Sequence, residues 1–148
     1  MTIDPHRLPE MPELMIVGPG ELHDSDLEVL GRQVIAHYGD VWTELHTETL
    51  NALGNLLGSA ETPYLIPGSG TTCLDAALLN LFEPGDTVVV ANTGFFGNRL
   101  LEIAKQQRLE TIEIGVEVGH AADPQQLGEA ARASGAAGVL LTHVDTST

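Results

Sequence analysis

The sequence predicts an α/β fold, a mostly parallel sheet flanked by helices, from three features. From residue 64 onward, short apolar runs (64–66, 87–91, 111–116 and 138–142) alternate with amphipathic stretches (71–82, 96–107 and 124–134), the pattern of strands joined by crossover helices. Val88, Val89 and Val90 are apolar at consecutive positions, as a strand covered on both faces requires. Glu83-Pro84-Gly85-Asp86 is a tight turn that delivers the chain into that run.

In chain order, residues 1–23 carry four of the eight prolines and little periodicity, so they read as an extended arm, with 24–148 as the body. Met15-Ile16-Val17 followed by Gly18-Pro19-Gly20 ends the arm in a turn. Ser25 is placed to cap a helix over 26–37, with Glu28 in a capping box and Leu27, Leu30, Val34 and Ile35 inward, broken by Gly39-Asp40. A second helix is expected over 41–57, with Leu45, Thr49, Leu53, Leu56 and Leu57 on one side and Gly58 as its stop. Tyr38 and Trp42 flank the break between the two and read as packing residues. In the helix over 71–82, Leu74, Ala77, Leu78, Leu81 and Phe82 follow the rhythm of a single face, whereas Asp75 and Asn80 fall off it.

The chemistry-bearing stretch is the turn before that helix, Pro67-Gly68-Ser69-Gly70-Thr71-Thr72. Free N–H groups at a helix start, reinforced by the helix dipole, seat a phosphate or carboxylate, and Ser69, Thr71 and Thr72 add hydroxyl donors. A capped helix whose hydroxyls satisfy their own backbone has the same pattern. The turn has no lysine for a Walker loop, and Cys73 stands where a dinucleotide fingerprint needs its third glycine. Parallel sheets gather ligands beyond the carboxyl ends of their strands. Loops 69–72, 92–97 and 142–148 are all expected there, converging on one pocket.

With 21 acidic against 6 basic residues and a net charge of -15, the chain would repel nucleic acid and anionic membranes. A single cysteine excludes an internal disulfide, and neither a signal-peptide pattern nor an apolar run of spanning length is present. A soluble cytoplasmic protein is expected.

Four stretches, MIVGPGEL, PGSGTTCLDAALLNLFEPGD, VVVANTGFFGNRLLEI and LLTHVDTST, together resemble the class V aminotransferases of the fold type I pyridoxal phosphate enzymes, nearest the alanine–glyoxylate and serine–glyoxylate group. The resemblance implies the N-terminal part of a PLP-dependent transferase (aspartate aminotransferase-like) major domain. It implies pyridoxal 5'-phosphate as cofactor, a small amino acid and a 2-oxo acid as substrates, and a homodimer for the full-length form. Ser69, Gly70 and Thr71 would hold the cofactor phosphate, Phe96 would stack on the pyridine ring, Ser147 would lie beside that ring, and Gly18, Pro19 and Gly20 would line the substrate end. The Schiff-base lysine and the aspartate that pairs with the pyridine nitrogen lie beyond the THVDTST segment in the family. No catalytic residue is therefore assigned, and the chain is expected to be the N-terminal portion of a family member: a fragment, a truncated reading frame or half of a split enzyme.

The sole lysine, Lys105, lies mid-helix and reads as solvated. Cys73 reads as a buried, inert thiol, and the six histidines show no metal-binding spacing. His143 and Asp145 fall in the pocket loops, where a cofactor-side role competes with ordinary loop hydrogen bonding; Arg99 is open between pocket and surface. Three functional readings remain: part of an aminotransferase, a non-catalytic α/β module that binds a phosphate-bearing ligand, and a partial subunit that docks onto an intact one.

Overall fold

The computed structural model describes Leu14, Gly18 and residues 20–147, which fall into two units divided between Leu65 and Ile66. The expected arm lies largely outside the described residues, as do Met15, Ile16, Val17 and Pro19.

The first unit holds helices α1 (Asp24–Leu30) and α2 (Asp40–Leu57). Helix α1 is shorter than the expected 26–37. His23, not Ser25, is its N-cap, and Asp24 and Asp26 lie in the first turn, where the helix dipole favours negative charge. Gly31 ends it, donating its N–H to Leu27 O. Glu28 closes no capping box; it accepts from Arg32 Nη2 at 2.7 Å on the exposed surface. Leu27, Leu30, Val34 and Ile35, expected inward, are all exposed. Helix α2 agrees with expectation to within one residue, and Gly58 stops it in the left-handed region at φ 63°, where a Cβ is unfavourable. No residue of either helix is buried.

The second unit runs α3 (Gly70–Leu81), β1 (Thr87–Asn92), α4 (Phe95–Gln106), β2 (Glu110–Gly115), α5 (Pro124–Ser134) and β3 (Gly138–Leu140). The three strands form a parallel sheet in the order β2-β1-β3. Because successive side chains of a strand point to opposite faces, β1 feeds two cores. Val88 and Val90 pack with Leu78, Leu100, Leu101, Ile103 and Ala104 of α3 and α4, while Val89 and Ala91 pack with Leu127 of α5. Val88 to Ala91 are fully buried, each valine contributing about 1.5–3 kcal/mol of apolar transfer energy. Helices thus cover both faces of the sheet.

Residues 64–66 form no strand, contrary to expectation. A strand exists only through a ladder partner, and this run finds none among the described residues; Tyr64 is 93% exposed. The apolar row of α3 is only partly covered. Leu78 is buried and Leu74 and Phe82 partly so, but Leu81 is exposed, lining with Leu74, Leu140 and Val144 an open groove of about 570 Å³. Gln107 ties α3 to the end of α4 by donating to Asp75 O at 3.0 Å and Asp75 Oδ1 at 2.7 Å.

Helix α4 ends in a Schellman motif, with Leu109 N–H donating to Ala104 O and Arg108 N–H to Lys105 O, both at 3.0 Å. The left-handed position of this motif, usually glycine, is held by Arg108 at φ 63°. Arg108→Gly should therefore raise the unfolding free energy by about 1 kcal/mol in urea melts, since the left-handed region penalises a Cβ. Leu101→Ala should lower it by about 2–5 kcal/mol through a cavity against β1, whereas Leu79→Ala, at an exposed position, should change it by less than about 0.5 kcal/mol.

Candidate functional site

Two helix N-termini face the C-terminal edge of the sheet. The end of α3 leads through the 83–86 turn into the start of β1, so its beginning lies towards the opposite end of that strand; α4 begins directly after β1.

At the start of α3, Ser69 is the N-cap, in extended conformation at φ -78° and ψ 164°. Its Oγ accepts from Thr72 N at 3.4 Å and lies 3.4 Å from Thr72 Oγ1. The hydroxyl thus serves its own helix, as the capped-helix reading expects. The N–H groups of Gly70 and Thr71 belong to the first turn, which has no intrahelical acceptors. Ser69 and Gly70 are exposed, Thr71 is half-buried, and no atom lies within 4 Å of where a Cβ on Gly70 would be. The turn is open to a ligand.

The start of α4 is closed. Its N-cap, Gly94, has no side chain, and the cap comes from about fifty residues further along the chain. Asp145 Oδ2 accepts from Phe96 N at 3.0 Å and Gly97 N at 3.1 Å. Asp145 Oδ1 accepts from Ser147 N at 3.2 Å and Ser147 Oγ at 2.9 Å, and Ser147 Oγ in turn accepts from Phe95 N at 2.8 Å. A Cβ on Gly94 would collide with Ser147 Oγ and Asp145 Cγ, so glycine is what lets the two loops meet. Thr93 and Thr142, with Oγ1 atoms 3.1 Å apart, add a second tie. Asp145 is buried, which alone would raise its pKa. The hydrogen bonds from Gly97, from the hydroxyl and N–H of Ser147, and from Phe96 outweigh burial and hold the carboxyl below its ordinary value.

Loops 92–97 and 142–147 therefore converge as expected, while the 69–72 turn is joined to neither by a hydrogen bond among the described residues. Phe96 is half-buried, its ring edge-on to Phe95 at a centroid distance of 5.3 Å. Ser147 lies beside the Phe95-Phe96 backbone with its hydroxyl engaged in the cap. An open cleft of about 330 Å³ at this edge is lined by Thr93, His120, Leu127, Thr142, His143 and Asp145. Gly18 and Gly20 are exposed in the first unit, and Pro19 lies outside the described residues.

Cys73 is exposed, not buried, because the flank of α3 that carries it is uncovered. Arg99 bonds Glu102 at 3.1 Å along its own helix, and Lys105 is exposed in the last turn of α4. Among the described residues no group of histidine, cysteine or carboxylate side chains is arranged to hold a metal, and no helix is long and apolar enough to cross a membrane.

No protein-family model matches the chain. It is 32% identical over 136 residues to an uncharacterized aminotransferase of Methanocaldococcus jannaschii, covering 91% of this chain and 35% of that protein. It is 28% identical to the serine–glyoxylate aminotransferase of Methylorubrum extorquens, over 96% of this chain and 36% of the relative. The crystal structure of the ureidoglycine–glyoxylate aminotransferase of Bacillus subtilis matches with a TM-score of 0.88 at 26% identity, covering 95% of this chain and 37% of that one. The chain is a homologue of the class V aminotransferases. This aminotransferase homologue has the α/β fold of the N-terminal part of the PLP-dependent transferase major domain, and it spans about a third of the length of the curated relatives it matches.

In the aminotransferase homologue, the depressed pKa of Asp145 means that its contribution to stability is complete above the ordinary carboxyl value of 3.8 and is lost as pH falls through the lower folded value. Urea melts between pH 7 and pH 3 should show that acid-side loss, and Asp145→Asn should flatten it. Asp145→Ala should lower stability at pH 7 by about 1–3 kcal/mol, the range for stranding buried donors.

Proposed function

We propose that the chain forms the phosphate-binding and ring-stacking part of a pyridoxal phosphate-dependent aminotransferase, one that moves an amino group from a small amino acid to a 2-oxo acid such as glyoxylate or pyruvate. Residues 24–148 are read as the start of its major domain, and the whole protein as a cytoplasmic homodimer. The observation that carries the reading is the contrast between an α3 N-terminus open to a ligand and an α4 N-terminus closed by Asp145 and Ser147. The names of the relatives, which pair amino donors with glyoxylate, support the substrate class.

The residues present fit the cofactor in two respects. Gly70 and Thr71 offer first-turn N–H groups, and Ser69 and Thr71 offer hydroxyls, to a phosphate that the α3 dipole favours. The half-exposed ring of Phe96 offers a flat apolar face, with Ser147 beside it. Bound there, pyridoxal phosphate supplies the electron sink for chemistry at the amino acid Cα. The chain's own side chains hold and orient; Lys105, exposed in the last turn of α4, is about two and a half turns along the helix from Phe96 and is not placed to bond a cofactor at its ring. That position also favours a second reading for the chain by itself, a non-catalytic module that binds a phosphate-bearing ligand.

Absorbance titration of the chain with pyridoxal phosphate should show reversible binding. The Ser69→Ala/Thr71→Ala double variant should weaken it by about tenfold or more, roughly the value of one or two charge-assisted hydrogen bonds. Borohydride should leave Lys105 unmodified, and serine with glyoxylate should give no turnover. A reduced adduct on Lys105 would overturn this assignment of roles.

A further inference from the structure

We propose that Asp145 is a positioning residue for Phe96: its carboxylate, brought in by the loop after β3, fixes the first turn of α4 and thereby the face that Phe96 presents to a cofactor ring. The inference rests on the proposed function, in which Phe96 is the stacking residue.

An ordinary helix cap is local. Here the N-cap is Gly94, and the work passes to Asp145, 48 residues beyond Gly97 in sequence. One buried carboxylate accepts from the backbone of Phe96 and of Gly97 with the same oxygen, Oδ2, at 3.0 and 3.1 Å. Its other oxygen holds Ser147, whose hydroxyl takes the preceding amide, Phe95 N, at 2.8 Å. Three consecutive N–H groups, centred on Phe96, are thus bound to one two-residue clamp. The ring meets Phe95 edge-on, and Phe95 is itself 64% exposed. Backbone fixation sets the position from which the ring projects. A carboxylate suits the task because it accepts several N–H bonds at once without needing a proton of its own. Asparagine at 145 keeps the shape but leaves one oxygen instead of two, so either the bonds to Phe96 and Gly97 or those from Ser147 are given up.

The test compares the wild-type chain with Asp145→Asn, Phe96→Leu and the double variant. It uses pyridoxal phosphate and inorganic phosphate as separate probes, and follows the amide resonances of Phe96 and Gly97 by NMR. Asp145→Ala, which removes both oxygens and is added to the comparison, should move both amide signals, and it and Asp145→Asn should weaken pyridoxal phosphate, Asp145→Ala by about tenfold, the scale of a single stacking contact, while leaving inorganic phosphate within about twofold. Because Asp145 acts through Phe96, the double variant should bind pyridoxal phosphate no more weakly than Phe96→Leu alone. Equal losses for both probes, or a further loss in the Phe96→Leu background, would make Asp145 a general structural residue and overturn the proposal. Unmoved amide signals in Asp145→Ala would overturn it on geometry alone. A wild-type chain that binds phosphate but not pyridoxal phosphate would instead sink the stacking role of Phe96 in the proposed function, and the purpose assigned to Asp145 with it, even if the amide signals move.

Discussion

Burial of β1 on both faces is the constraint from which the second unit follows. A strand that shows valine to each side must have a helix layer on each side. The register pairing Val89 with Ile112 and Ala91 with Ile114 puts apolar side chains of β2 alongside those of β1 on the α5 face. Once α3 and α4 lie together on the other face, the 83–86 turn and the direct β1-to-α4 connection leave both helix beginnings at the carboxyl edge of the sheet. The location of the candidate site is thus a product of core packing.

The two beginnings differ in what fills them. Each exposes N–H groups and the positive end of a helix dipole, so each attracts an anion. At α4 the anion is part of the protein: Asp145, held ionised by four donors that outweigh its burial. At α3 the local cap, Ser69, is neutral and accepts from Thr72, so its hydroxyl proton and the amides of Gly70 and Thr71 stay available to the proposed ligand. A carboxylate in one seat also disfavours a second anion there. In the proposed function, the open α3 turn is accordingly the seat for the phosphate and α4 the carrier of the aromatic ring.

Most of this fold was legible in the sequence because it depends on local signals. Helical spacing, a Gly-Pro-rich turn and a β-branched run located α3, β1, α4, β2 and α5 to within a residue or two of their ends. What was illegible depended on partners. Residues 64–66 have strand composition but no strand beside them, and the apolar residues of 26–37 gave no warning that Gly31 would end the helix after Leu30. The site divides in the same way. The Ser69-Gly70-Thr71 turn was visible as a motif, whereas the union of Asp145, Ser147 and the Phe95–Gly97 backbone spans about fifty residues and has no periodicity to betray it. The missing side chain at Gly94 was the one available hint, since a helix start without a local cap needs a cap from elsewhere.

Seating a phosphate on so acidic a chain, as the proposed function requires, presents an apparent conflict, which distance resolves. The net charge of -15 is spread over the whole surface, and at physiological salt its field decays over about 8 Å. Hydrogen bonds from Gly70 and Thr71 would act at about 3 Å, well inside that distance, and each charge-assisted bond contributes about 1.5–3 kcal/mol. The nearby acid on α3, Asp75, is already engaged by Gln107 at 2.7 Å. Global charge would therefore slow the approach of the proposed ligand and make its capture faster at higher salt, while the local amides would determine whether it stays. The repulsion of nucleic acid expected from that charge concerns a long polyanionic backbone that would meet the whole surface, and it does not extend to a small phosphate that would meet a single turn.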